Sequence, residues 1–521
     1  MNARLVAWTY LWLAALPWPA LAQDTNASLR EVQRDLEALR IEQAQARLSK
    51  LEAKVAPTPE LLFEQGQLAF YQGDYAQAVQ LTDQAIANAR SEEHRHRYKQ
   101  ARELLESTQK VTANLRTERS PNGRYQVSYS PGKDAVLVPY AMAVLKAADQ
   151  AITARLGLQV PSPIRLEIYP SASTLAQVSA LTVEQIETTG TIALSKWNRL
   201  MITTPRALVR GYPWADTITH EFVHMVLSRI TSDHAPVWMQ EGTAKMLERS
   251  FRGNQAALRV DPASEAMLAE AKSQKRLLTF EQMHPSIAML PSQEDAALAF
   301  AEVSTFMQRY VSRYGDAALR DALSKIAQGT DAQKALATAA STSFATLESD
   351  WRASLPTTSS EPAPRHLALR LKEGSGKPDE TLDVAQVSAR RFLRLGDLLW
   401  DQDRPLAASS EYAKAAHEAP DDPIIGARLA RAALSAGKPE RALKAVERLA
   451  ARYPEHAPSQ AMLGAARLAV HDRAGAATAL REAIYINPFD PQPHCDLAQA
   501  SDDREEQARE LAACRALRHS P

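Results

Sequence analysis

Between residues 117 and 355 the pattern of apolar and polar positions changes character several times. Arg124 to Ser130 (RYQVSYS) alternates like a strand, and Ile164 to Tyr169 (IRLEIY) reads as a strand. Thr191 to Thr204 holds two further strand-like runs around Lys196-Trp197-Asn198. Ala135 to Leu156 instead reads as one long helix, and from Ala215 onward the pattern stays helical. The expectation for 117–355 is an α+β domain, predominantly helical after a small mixed sheet.

The C-terminal third carries a different regularity. Pro420, Pro454 and Pro488 stand 34 residues apart. Gly396, Ala430, Gly464 and Ala498 keep that spacing, as do Ala408, Ala442 and Ala476. Small residues at a fixed period mark where paired antiparallel helices pack closely, with a proline closing each unit. The pattern resembles tetratricopeptide repeats over about 387–517, and residues 387–521 are expected to form a C-terminal repeat domain. Gly66, Gly73, Tyr75, Ala78 and Ala85 repeat the offsets near the other end, so 23–116 is expected to be a helical, repeat-like segment. A Pro/Ser/Thr-rich stretch, Pro356 to Pro364, and Gly374-Ser375-Gly376 mark 356–386 as a linker.

Residues 1–22 read as an address. Arg4 precedes an apolar run from Leu5 to Leu16, and Ala20-Leu21-Ala22 supplies a small-x-small cleavage pattern before Gln23. The run is short of the ~20 residues a spanning helix needs and is interrupted by Pro17 and Pro19. A signal peptide cut after Ala22 is expected, with a periplasmic or secreted product and no later transmembrane segment. Lys plus Arg (61) equals Asp plus Glu (61), so no net field draws nucleic acid or an anionic membrane. Cys495 and Cys514 are the two cysteines and stand far in sequence from the candidate site, which excludes thiol catalysis and a cysteine zinc cage. They fall on the two helices of the last hairpin; a disulfide and a pair of buried thiols both fit, helix register deciding between them.

The chemistry concentrates in His220-Glu221-Phe222-Val223-His224. Histidines four apart on a helix differ by about 40° around its axis, so both rings point the same way. Each can offer a nitrogen to one metal ion at roughly 2.0–2.1 Å. Glu221 adjoins the first, in place to take a proton from metal-bound water. Phe222, Val223, Met225, Val226 and Leu227 make this helix apolar and therefore buried, where imidazoles need a reason to be present. Seventeen residues after His224 stands Glu241, within Pro236-Val237-Trp238-Met239-Gln240-Glu241-Gly242-Thr243-Ala244. A hydrolytic zinc keeps three protein ligands and a water, whereas a structural zinc closes its shell with four. Glu241, presented from the next helix, is the expected third ligand to a single Zn2+, and Glu221 the catalytic base. His234 reads as a loop histidine, Asp233 as a turn residue and Asp216 as a helix cap.

HEFVH followed by PVWMQEGTA resembles the gluzincins, the peptidase MA clan of which thermolysin is a distant example. It is most similar to bacterial peptidase MA-like domains with HE-x-x-H and then Pro-x-Trp-x-x-Glu-Gly-x-Ala. The resemblance covers perhaps 230 residues, loosely reaching Leu298 through Tyr314-Gly315 and Trp351, and is specific at the two motifs. It implies a thermolysin-like catalytic domain, zinc on His220, His224 and Glu241, and catalysis by Glu221. Two departures stand out. Such domains often carry Ala-Tyr-x-x-Ser where this chain has Ala299-Phe300-Ala301-Glu302-Val303. Four residues after the third ligand, where thermolysin has an acidic partner, stands Lys245. Tyr310, Tyr314 and His284 are candidates for stabilising an oxyanion.

The chain is thus expected to be an exported zinc metallopeptidase, more an endopeptidase than an exopeptidase. Its repeats would present a concave surface to a protein substrate or partner, and the predicted strands of Thr191 to Thr204 an edge for an extended peptide. The combination is similar to periplasmic protease-chaperones. The competing expectation, motivated by Phe300 and Lys245, is a catalytically inactive protein-binding scaffold.

Overall fold

The computed structural model describes residues 18–253, 260–357, 364, 367, 370–372 and 379–519. Of the expected address segment only Trp18 onward is described, and most of the expected linker, including 358–363 and 373–378, lies outside the described residues. The chain divides into two compact units, Met1–Glu106 and Ser107–Pro521.

In the first unit, helices α1 (Trp18–Glu37), α2 (Ile41–Glu52), α3 (Pro59–Gln72), α4 (Tyr75–Ala87) and the start of α5 (Glu92–Thr112) follow one another. The α3–α4 hairpin is the repeat-like pair. Thr58 and Asp74 cap the two helices through side-chain oxygens. A Cβ on Gly66 would come within 2.8 Å of Thr82 Oγ1, sixteen residues on.

The second unit opens with a five-stranded sheet. Strands β1 (Arg116–Arg119) and β2 (Tyr125–Tyr129) are followed by α6 (Leu137–Leu156), β3 (Ile164–Tyr169), α7 (Ala172–Gln177), α8 (Val183–Thr189), β4 (Ala193–Lys196) and β5 (Arg199–Thr203). The order across the sheet is β1-β2-β3-β5-β4, parallel at its centre and antiparallel at both edges. Trp197 and Asn198 both have positive φ, 53° and 57°, the backbone of a tight two-residue hairpin that matches strand twist. This turn leaves β4 on the edge. By length and composition Lys133–Leu156 would span a membrane, with mean hydropathy 1.3, but half of that stretch is buried inside the fold. Val144, Ala148 and Ile152 are covered, and α6 packs on β2 as a core helix.

Helices α9 (Trp214–Thr231), α10 (Val237–Leu247), α11 (Pro262–Ser273), α12 (Gln293–Ala327), α13 (Ala332–Ala339) and α14 (Phe344–Ser354) complete the mixed part. Helix α9 lies against β4, β5 and α6, so it is buried nearly all round. Eight further helices form four hairpins: α15 (Val387–Asp401) with α16 (Pro405–Glu418), α17 (Pro423–Ser435) with α18 (Pro439–Arg452), α19 (Ala457–Ala469) with α20 (Arg473–Ile486), and α21 (Pro491–Ala500) with α22 (Arg504–His519). Ala408, Ala442 and Ala476 are all fully buried, as their common period requires. A Cβ on Gly396 would lie 2.4 Å from the Tyr412 ring, and one on Gly464 2.4 Å from Leu480 Cγ. Both pairs are sixteen apart, the spacing of Gly66 and Thr82. Cys495 on α21 and Cys514 on α22 are disulfide-bonded.

Candidate metal centre

Helix α9 presents His220 and His224 on one side, with ring centroids 4.9 Å apart. Helix α10 brings Glu241 to the same point because its first turn is anchored. Pro236 starts the helix, and Trp238 is buried against Phe280 and Phe306 with centroids at 4.7 and 6.2 Å. Gly242 then allows close approach to α12: a Cβ there would meet the Val303 carbonyl oxygen at 2.5 Å. Pro236, Trp238 and Gly242 of the PVWMQEG run therefore all bear on where this one carboxylate lies.

The three expected ligands converge. His220 Nε2 and His224 Nε2 are 3.1 Å apart, and Glu241 Oε2 lies 3.4 Å from the first and 3.6 Å from the second. Two donors each about 2.0–2.1 Å from a tetrahedral ion would be about 3.4 Å apart. The donor set, two imidazoles and a carboxylate, therefore fits zinc in chemistry and in spacing. Among the described residues this is the one group of three His, Cys, Asp or Glu side chains whose ligand atoms converge in this way.

The electrostatics of the cluster are strongly coupled. Burial opposes a charge on His220, but the carboxylates of Glu241 and Glu248 outweigh it and push the imidazole up to about 10. Burial likewise opposes the Glu241 carboxylate, yet His224 and His220 hold its pKa well below the usual range. Glu221, 7% exposed, is pushed up by burial, against the charges of His224 and His220 and a hydrogen bond from the Ser195 backbone. That contact ties Glu221 to the edge strand β4. Tyr212 is buried within reach of the Glu221 charge, but its hydroxyl donates to the Thr203 carbonyl.

Sequence reasoning missed Glu248. Its Oε2 stands 3.4 Å from His220 Nδ1, on the ring side away from Glu241, and its Oε1 pairs with Lys245 Nζ at 2.8 Å. Seven residues after Glu241, it returns to the same helical face two turns on, within about 20°. The acid that Lys245 displaces from the thermolysin-like position is thus supplied from one turn further along. The signal was present as an acidic residue at i+7 from the third ligand.

Asp216 is not the helix cap read from the sequence. Pro213 occupies that position, and the Asp216 carboxylate is buried and paired with Arg249 and Arg252. His234 is exposed in the loop after α9, and Asp233 has a turn conformation with φ 61°. Tyr310 is buried with its hydroxyl given to the Leu336 carbonyl at 3.1 Å, His284 is exposed, and Phe300 is 39% exposed.

Residues 146–357 match the family model of the peptidase MA superfamily, and residues 399–467 match a tetratricopeptide repeat model. No curated protein matches the chain. Among solved structures the chain is similar to a thermophilic tetratricopeptide-repeat protein of Thermus thermophilus, at 24% identity over 25% of this chain and 74% of that one, TM-score 0.23. It is also similar to yeast LTA4 hydrolase in complex with bestatin, at 10% identity over 77% of this chain and 67% of that one, TM-score 0.27. The chain joins a peptidase MA superfamily domain to tetratricopeptide repeats.

Proposed function

We propose that this chain is an exported zinc metallopeptidase that cuts peptide bonds, with His220, His224 and Glu241 holding one zinc ion and Glu221 acting as base. The observation that carries the reading is the spacing of the three donor atoms, 3.1 to 3.6 Å, with Glu221 beside the first ligand in sequence. A zinc ion bound there supplies a Lewis acid and a water of lowered pKa. Glu221 takes the proton of the attacking water and returns it to the leaving amine, and its raised pKa suits both halves of that task. Glu248 fixes the tautomer and orientation of His220 by accepting from Nδ1.

Substrate binding follows from β4. In a two-residue hairpin closed by the Lys196–Arg199 pair, residues 193 and 195 turn their backbone groups away from β5; the Ser195 N–H goes to Glu221, which leaves the Ser195 carbonyl and the groups of Ala193 facing the edge. An extended peptide can add to that edge beside Glu221, which favours an endopeptidase. The repeats supply a surface for a protein substrate or partner. The Cys495–Cys514 disulfide supports export to an oxidising compartment, as does the sequence of residues 1–22.

The test is cleavage of denatured casein by purified protein, with metal content measured in parallel. One zinc per chain, proteolysis abolished by a chelator, and a Glu221→Gln variant that keeps zinc but loses cleavage are the expected results. The exposed Phe300, standing where related domains carry tyrosine, favours the second reading, an inactive scaffold. Zinc-loaded protein that cleaves neither casein nor short peptides would shift the weight to the scaffold or to an enzyme of narrow substrate range.

A further inference from the structure

The segment leading into α9 rests on the C-terminal repeats. Gly211 has φ +73°, and a Cβ there would lie 2.3 Å from the Ile486 carbonyl oxygen. The Tyr212 N–H donates to that same carbonyl at 3.1 Å, and the buried Trp214 indole N–H donates to the Ile484 carbonyl at 3.1 Å. Both acceptors sit in the last turn of α20, where helical carbonyls lack intrahelical partners.

One turn earlier on α20, Glu482 extends this contact to the two arginines that follow α10, Arg249 and Arg252. It accepts from Arg252 at 3.0 and 3.1 Å and from Arg249 at 3.3 Å. The same two arginines hold Asp216, Arg249 at 3.3 Å and Arg252 more closely. Asp216 stands four residues before His220, one turn away on the same face of α9. Arg249 directly follows Glu248, whose carboxylate meets His220 Nδ1. A glutamate of a repeat helix therefore reaches Asp216, one helical turn from the first metal donor, through two contacts, and reaches Arg249, next in the chain to the His220 partner Glu248, through one.

We infer that Glu482 is a positioning residue of the metal centre, so that this one contact of the C-terminal repeats, acting through Arg249 and Arg252, sets the geometry of the zinc donors. The inference rests on the reading of His220, His224 and Glu241 as zinc ligands. The physical reason is charge balance in a largely desolvated cluster. With Glu482 present, two guanidinium groups face two carboxylates. Without it, two cations share Asp216; of the other carboxylates lining the same cavity, Glu248, Asp261 and Glu455, Glu248 lies within electrostatic reach of Asp216. An arginine that turns toward Glu248 competes with His220 for that carboxylate and loosens the first ligand. The repeats thereby become a structural part of the metal site and not only a recognition surface.

The experiment uses the full chain and three variants: Glu482→Gln, Glu482→Asp and Tyr140→Phe. Tyr140 belongs to a separate contact with the repeats, its hydroxyl donating to Glu510 at 2.6 Å beside the buried His494. Its variant reports on loosened docking without disturbing the arginine cluster. Zinc affinity is measured by competition with a chromophoric chelator, donor geometry by the visible spectrum of the cobalt-substituted protein, and stability by thermal unfolding. Glu482→Gln is expected to weaken zinc roughly three- to tenfold, less than the 10- to 100-fold typical of a direct partner of a ligand. It should also alter the cobalt bands, with Glu482→Asp partly restoring both. Tyr140→Phe should lower the melting temperature and leave affinity and spectrum at wild-type values. Wild-type affinity and spectrum in both Glu482 variants would overturn the inference, as would an equal change in Tyr140→Phe. Wild-type protein that binds neither zinc nor cobalt would instead remove the zinc reading itself. Should Glu482→Gln not fold, Glu482→Asp carries the test.

Discussion

The carboxylate of Glu248 faces His220 Nδ1 at 3.4 Å while Glu241 faces Nε2 of the same ring at the same distance, so one imidazole lies between two acids. The first prediction follows from that arrangement. Glu248→Gln keeps the shape but removes the charge that orients the ring, and zinc affinity should fall about 10- to 100-fold. Chelator competition on the purified variant checks it; an affinity within twofold of wild type would make Glu248 a bystander.

Zinc uptake should depend on pH in a stated direction. The metal-free His220 keeps its proton until the pH nears about 10, and a ligand must give it up. Binding therefore strengthens as pH rises toward that value, and titration calorimetry at pH 8 in two buffers of different ionisation enthalpy should find about one proton released per ion. The folded pKa stands above the ordinary 6.5, so protonated His220 stabilises the metal-free fold fully below pH 6.5. That contribution fades as the pH climbs to about 10. Thermal unfolding of the metal-free protein across this range gives the second measurement.

Gly242→Ala should damage the site without touching a ligand. The new methyl would meet the Val303 carbonyl oxygen at 2.5 Å and Met307 Cγ at 2.8 Å. Helix α10 must move off α12, at a cost of about 1–3 kcal/mol, and Glu241 moves with it. A lowered melting temperature together with weakened zinc binding is expected; a drop in stability with zinc affinity intact would separate the two effects.

Reducing the Cys495–Cys514 disulfide, 19 residues in separation, should cost about 3 kcal/mol by the loop-entropy argument. Because Tyr140 on α6 bonds to Glu510 in that hairpin, the loss should appear in the melting of the whole second unit. A Cys495→Ser, Cys514→Ser variant melting as wild type would contradict this.

The helical spacing of His220 and His224 and the position of Glu241 were readable because each obeys a local rule: a period, a motif, an adjoining helix. The strand Ile164–Tyr169 and the 34-residue repeat were readable for the same reason. The strand Arg116–Arg119 was not, since its RTER sequence is exposed at the sheet edge and shows no apolar alternation. The short helices Ala172–Gln177 and Val183–Thr189 offer too few turns for a period to register. Glu248 escaped because its place was sought one turn too early. The contact of Trp214 with Ile484 spans 270 residues of sequence, and no local pattern encodes a partner that distant. The same holds for Gly211, whose neighbour Ile486 is equally remote in the chain.

The hairpin turn at Trp197 and Asn198 leaves β4 bordered on one side only. The groups it turns outward are amides and carbonyls, which every polypeptide carries alike. A peptide added along such a border is selected by conformation before residue type: a chain must be unravelled to lie along it. On the function proposed above, such a border would take up an unfolded segment and pass over a folded surface, whatever side chains either one carries.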